Sequence, residues 1–165
     1  MTRWHELESA DEGFFASAPF IHCYPMDLPV SPEQVWAGLV GDNTLSWCRA
    51  LADVSYTSEP PHHVGTTRTA KTTGGVLVFQ ERFFRWEEGK RQSFSVEQAN
   101  LPMFRRFAED YLVEPTDKGC RFTWTFAYEP VPAWKLFFTA SKPVSAGIFG
   151  SFARDTRRHF GVQRR

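Results

Sequence analysis

Four turn signals in the middle of this chain constrain its fold more than any single motif. Gly74-Gly75, Glu88-Gly89, Asn100-Leu101-Pro102 and Thr116-Asp117-Lys118-Gly119 each separate two extended, alternating runs. In a tight hairpin, cross-strand partners keep a constant index sum and point to the same face of the sheet. A two-residue turn at Gly74-Gly75 predicts Ala70 opposite Phe79, Arg68 opposite Glu81 and Thr66 opposite Phe83. The Glu88-Gly89 turn predicts Phe83 opposite Phe94 and Glu81 opposite Val96. A turn centred on Asn100-Leu101 predicts Phe94 opposite Phe107 and Val96 opposite Arg105. The loop from Thr116 to Gly119 predicts Val113 opposite Phe122, Tyr111 opposite Trp124 and Glu109 opposite Phe126. All four turns agree on parity. One face collects Phe79, Phe83, Phe94, Val96, Phe107, Tyr111, Val113, Phe122, Trp124 and Phe126. The other collects Gln80, Arg82, Ser93, Ser95, Glu97, Thr123 and Thr125.

An apolar face spread over that many strands needs a cover. The C-terminal segment supplies the only long apolar element. Pro143 splits it into a short helix near Ala133 to Ala140 and a longer one from about Val144 to Phe160. Val144, Ile148, Phe152 and Phe160 form the expected apolar stripe of the longer helix, with Phe149 beside it. Upstream, Pro19 to Val30 reads as a first strand, with Phe20, His22, Tyr24, Met26 and Leu28 on one face. Ser31, Pro32 and Gln34 then start a helix as N-cap, N1 and capping-box partner, and Val35, Trp36 and Leu39 are its buried side. A second short helix carries Leu45, Trp47 and Leu51. Candidate strands run from Asp53 to Ser58, Gly65 to Thr72, Val76 to Trp86, Lys90 to Ala99, Met103 to Glu114 and Cys120 to Tyr128. Residues 1–18 read as an N-terminal extension over the domain surface, anchored by Phe14 and Phe15, and residues 19–165 as one α+β domain.

Composition narrows the function. Aromatic residues make up 16% of the chain, including 16 Phe and 6 Trp. So many rings fill a thick core or line a pocket for an apolar guest. The formal net charge is zero, which argues against nucleic acid as a partner. The acidic start (Glu6, Glu8, Asp11, Glu12) and basic end (Arg154, Arg157, Arg158, Arg164, Arg165) read as solvated termini rather than an anionic-membrane contact. Cys23, Cys48 and Cys120 form no CxxC, so free thiols in a reducing compartment are expected. No apolar run reaches membrane-spanning length and no signal-peptide core is visible, which points to a cytoplasmic protein without integral membrane association. A monomer or homodimer fits this composition.

The order strand, two helices, six strands, long helix resembles the START-like superfamily, often called SRPBCC, in its polyketide cyclase/dehydrase-like branch. The stretches that carry the resemblance are Val30-Ser-Pro-Glu-Gln-Val-Trp36, Trp47, Val64-Gly-Thr-Thr-Arg68, the strand around Glu81, and Gly119-Cys-Arg-Phe-Thr-Trp124. The resemblance covers roughly Pro19 to Phe160. The resemblance implies the helix-grip fold: a curved seven-stranded antiparallel sheet around a long C-terminal helix, with two short helices after the first strand. It also implies a cavity between sheet and helix for a small hydrophobic ligand. Members of the superfamily range from aromatase/cyclases to lipid and sterol carriers, so the fold does not name one function.

Within that wall, Arg68 and Glu81 are inward-facing charges opposite each other. They can anchor a ligand oxygen, with Glu81 holding Arg68 or acting as a base. They can equally form a structural cross-strand pair. Arg105 and Glu109 fall on the same face, near its ends. Glu109 and Tyr111 have the chemistry for proton transfer, but Glu109 is expected at the open end of the sheet, in solvent. The rings of Trp47, Phe79, Phe83, Phe94, Phe107, Tyr111, Trp124, Phe126, Phe149 and Phe152 are the expected ligand-contacting wall. His62 and His63 lie in a loop without a third metal ligand, and His22 reads as a core histidine. No metal or cofactor motif is present. Two functional classes follow: a carrier or sensor of a small lipophilic molecule, or a cyclase/dehydratase-type enzyme that folds a polyketide and moves protons. A protein-interaction module using the basic end of the C-terminal helix is a third.

Overall fold

The structure, a computed structural model, describes residues 1–161; Arg164 and Arg165 of the expected basic end lie outside them. In chain order the elements are β1 (His5–Glu6), α1 (Phe14–Ser17), β2 (Phe20–Leu28), α2 (Pro32–Val40), β3 (Leu51–Tyr56), β4 (Thr67–Thr72), β5 (Val78–Glu87), β6 (Arg91–Ala99), β7 (Phe104–Thr116), β8 (Gly119–Pro130), α3 (Pro132–Ala140) and α4 (Lys142–Gly161). Seven strands form one antiparallel path in the order β2-β8-β7-β6-β5-β4-β3, and the two-residue β1 adds to β6. The sheet curls around α4, which is the helix-grip arrangement.

The helix start at Ser31 forms as expected. Its side chain accepts from Gln34 N, and Gln34 Oε1 accepts from Ser31 N at 3.0 Å, so two otherwise orphaned N–H groups are satisfied. The second short helix takes the form of successive helical turns instead of a regular helix, with bonds from Ser46 N to Asn43 O and from Cys48 N to Leu45 O. Gly38 of α2 lets these turns approach, because a Cβ there would lie 2.7 Å from the Trp47 ring.

Three of the four predicted hairpin registers hold near the site. Arg68 pairs with Glu81 and Ala70 with Phe79, although the connecting loop is four residues long, with Thr72 N bonded to Leu77 O. Phe83 pairs with Phe94 and Glu81 with Val96. Here the turn holds three residues and not two, and a bulge at Phe84 restores the register. Val113–Phe122, Tyr111–Trp124 and Glu109–Phe126 pair as expected.

The fourth register is different. Phe94 pairs with Glu109, not with Phe107, and the Val96–Arg105 pair does not form. The cause lies far away in sequence. Residues 5–8 sit between the diverging ends of β6 and β7: His5 pairs with Ala99, Leu7 N donates to Glu97 O, and Glu8 N donates to Arg105 O. The wedge pushes the β6–β7 pairing along by two residues. A two-residue slip keeps every side chain on its face, so the whole expected apolar set is still buried, from Phe79 to Phe126. A further irregularity between Phe104 and Arg106 turns Phe104 inward and Arg105 outward. Arg105 is therefore not a wall residue, and its Nε lies 2.9 Å from Glu8 Oε1 at the surface.

The extension does more than drape over the domain. Phe14 of α1 is buried with Ala10 against Ala108 and Ala127 on the outer face of the sheet. Arg106 lies over the Phe14 ring at 4.6 Å, and Ala10 N donates to Ser95 Oγ at 3.0 Å.

The buried stripe of α4 is Ser145, Phe152, Thr156 and Phe160 with half-buried Phe149, while the expected members Val144 and Ile148 are 63% and 53% exposed. Both lie one residue, about 100°, off the line that is buried. Two polar bonds set this rotation. Trp47 Nε1 donates to Thr156 Oγ1 at 3.0 Å, and Arg49 N donates to Asp155 Oδ2 at 2.9 Å.

Candidate functional site

Between the sheet and α4 lies a cavity of about 210 Å3. That is far beyond the roughly 10–15 Å3 that one water needs. Of the expected contact residues, Arg68, Phe79, Glu81, Phe107, Tyr111, Trp124, Phe126, Phe149 and Phe152 line it. Trp47 does not; its ring stacks on His159 and faces Phe160 at the end of α4. Phe83 and Phe94 lie behind the wall, around the Arg68 guanidinium. Leu51, expected on the second short helix but the first residue of β3, and Val54, Met103, Phe104 and Phe138, which the periodicities did not single out, also line the space. The first two sit on an edge strand with weak alternation, and Phe104 turns inward only through the irregularity beside it.

Five buried side chains of this apolar wall are joined through their polar atoms. Arg68 Nε donates to Glu81 Oε2 at 2.6 Å, across the β4–β5 pair. Arg68 Nη2 donates to Tyr111 Oη at 3.2 Å, and Tyr111 Oη donates to Glu109 Oε2 at 3.0 Å. Trp124 Nε1 donates to the same Glu109 oxygen at 2.8 Å. The chain Glu81–Arg68–Tyr111–Glu109–Trp124 thus runs over four strands. Each member sits where period two puts it, because the register pairs Arg68 with Glu81 and Tyr111 with Trp124.

Glu109 is the main departure from expectation. It is 9% exposed and lies mid-sheet, not at an open rim. The wedge-driven slip is what sets it opposite Phe94. Burial raises its carboxyl to about 8, with the nearby Glu81 charge adding to the rise and the Trp124 and Tyr111 hydrogen bonds opposing it. At neutral pH it is mainly a carboxylic acid. Both protein donors fall on Oε2, so Oε1 is the oxygen left to carry the acid proton.

Arg68 and Glu81 balance each other. Burial pushes the Glu81 carboxyl up while the guanidinium pulls it back. Burial would lower Arg68, but Glu81 and Tyr111 hold it well above its ordinary range. A guanidinium does not lose its proton in a protein, so it keeps an ionised carboxylate beside it. The rings of Phe94 and Phe83 face the Arg68 Cζ at 4.6 and 5.1 Å and stabilise the cation further. Arg68 Nη1 is buried without a protein acceptor. Burial pushes the Tyr111 phenol up, so it stays protonated.

The histidines take no part. His62 stacks on Tyr56 at 4.2 Å, and His63 Nδ1 lies 2.6 Å from Val64 O. His22 Nε2 lies 3.2 Å from Tyr128 Oη, and burial lowers its pKa. Among the described residues no group of three or more His, Cys, Asp or Glu side chains is placed to hold a metal ion.

Comparison with known proteins identifies the lineage. The family described as polyketide cyclase / dehydrase and lipid transport matches residues 25–159. The chain belongs to this family. Uncharacterised proteins of Mycobacterium bovis and Mycobacterium tuberculosis are each 31% identical to it over 156 residues, covering 94% of this chain and 93% of theirs. A crystal structure of an uncharacterised Bacillus thuringiensis protein superposes with a TM-score of 0.64 at 18% identity, covering 87% of this chain and all of that one. Ginseng major latex-like protein 151 from Panax ginseng superposes at 0.62 with 14% identity, covering 86% and 97%. At those identities the structural neighbours establish the shared fold alone. No helix among the described residues is long and apolar enough to cross a membrane.

Proposed function

We propose that this family member binds a small, uncharged, largely apolar molecule in the cavity, as a carrier or sensor, with one oxygen of the ligand held at the Arg68–Tyr111–Glu109 cluster. The observation that carries the reading is Glu109: a buried acid set in an aromatic wall, with one carboxyl oxygen saturated and the other free to donate. A ligand carbonyl or hydroxyl oxygen is the natural acceptor for that proton, and Arg68 Nη1 is a second unused donor in the same wall. A carboxylate ligand fits less well, because Glu81 already neutralises the buried Arg68 cation.

A second reading is proton transfer of cyclase/dehydratase type. The same acid favours it, since a carboxyl with a pKa near 8 gives and takes a proton close to neutral pH. The family description includes both roles.

Native mass spectrometry of protein purified from its own host tests binding. An apolar compound of defined mass that leaves on denaturation supports the reading. Failure of the purified protein to take up any compound from a panel of small ketones and phenols overturns it. Arg68→Ala and Glu81→Gln then separate the roles: if both variants still bind the ligand and the wild type converts no substrate, the enzyme reading fails.

A further inference from the structure

We propose that the corner between α3 and α4 docks onto the surface of an anionic lipid bilayer. Eight large apolar side chains are exposed among the described residues, and four of them sit within about two helical turns of this corner: Leu136 at 80%, Phe137 at 55%, Val144 at 63% and Ile148 at 53%. Trp134 is half-buried beside them, with its ring 5.4 Å from that of Phe137. Clustered exposed apolar groups mark an interaction surface, whereas scattered ones do not.

Charge selects the occupant. From Pro130 to Arg154 the chain has no acidic residue, although acids and bases balance over the whole sequence. The acids that bound this stretch are both engaged, Glu129 by Arg106 and Asp155 by Arg49. Exposed Lys135 and Lys142 flank the apolar tips, and exposed Arg154, Arg157 and Arg158 continue along α4. Apolar tips flanked by cations match an anionic interface, where the tips enter the headgroup layer and the cations meet its charge. A second copy of the chain is a poor partner for the same reason, because a two-fold contact would set Lys135 and Lys142 against their own equivalents. The patch is continuous with the cavity, since Ile148 and Phe138 belong to both this corner and the cavity wall.

The test is sedimentation of the full chain with vesicles of phosphatidylcholine alone or with about one-third phosphatidylglycerol. The protein is expected to bind the anionic vesicles and not the neutral ones, and to be released at about 0.5 M salt. The pair Leu136→Glu with Phe137→Glu should weaken binding about tenfold or more, with an unchanged unfolding midpoint because both side chains are exposed. Lys135→Ser with Lys142→Ser, which leaves the apolar tips in place, should weaken it in the same direction. Glu109→Gln should bind vesicles like the wild type, so a failure of the cavity reading stays distinct from a failure here. Wild-type protein that ignores anionic vesicles overturns the proposal. So does a Leu136/Phe137 variant that binds as well as wild type, or a concentration-dependent dimer that this variant abolishes.

Discussion

Trp124 donates its indole N–H to Glu109 Oε2 at 2.8 Å from the adjacent strand, in a largely apolar wall. This bond favours the carboxylate, against the burial that favours the acid. Trp124→Phe keeps the ring and removes the donor. The titration of Glu109 should then move up from about 8, by about one pH unit. Carbon-detected NMR of the Glu109 carboxyl gives the midpoint. A value at or below that of the wild type would refute the role given to this bond.

Glu109 also makes stability depend on pH. Its folded pKa is raised from 4.5 to about 8, so the folded state holds a proton that the unfolded state has lost within that window. The stabilisation is complete below about pH 4.5 and is lost as pH rises towards 8, with a slope of at most about 1.4 kcal/mol per pH unit. Glu109→Gln retains an acceptor for Trp124 and Tyr111 and cannot ionise. Urea unfolding of both proteins across this range should show the variant gaining on the wild type as pH rises. Parallel curves would remove Glu109 as the source.

The Arg68–Glu81 pair is fully buried, at 1% and 2% exposure of the two side chains. Removing one partner leaves an uncompensated charge. Arg68→Ala should cost about 3–5 kcal/mol, whereas Arg68→Met with Glu81→Leu should recover most of that loss. A double variant as unstable as the single one would show that the guanidinium's bond to Tyr111 carries the stability instead.

Phe14 lies on the outer face of the sheet at 2% exposure. Phe14→Ala should destabilise the whole domain by about 3 kcal/mol in chemical denaturation. It should do so in a single transition, because residues 5–8 tie the extension into the β6–β7 gap. A change of a few tenths would instead mean an extension loosely laid on the surface.

Much of the wall was legible from residue order. Phe79, Phe83, Phe94, Phe107, Tyr111, Trp124 and Phe126 were assigned to one face from turn positions, and all are buried. The Arg68–Glu81 contact followed from one index sum. Glu109 was assigned the right face but the wrong depth, and Val144 and Ile148 were expected in the core although they are exposed. Trp47 was expected in the cavity wall and instead anchors α4 through Thr156.

The difference has a physical origin. Parity is local: side chains alternate along a strand, and a turn of known length links one strand's alternation to the next. Even the bulge at Phe84 left it intact, because it offset a longer turn. Depth and rotation are not local. The position of Glu109 depends on where residues 5–8 enter the sheet, and the buried stripe of α4 depends on the bonds from Trp47 and Arg49. Those contacts join segments about a hundred residues apart, which no period of two or 3.6 encodes. Which residues share the apolar face of the sheet was therefore written in the order of the chain, while the burial of Glu109, and with it the acid in the cavity wall, arises only when the distant segments meet.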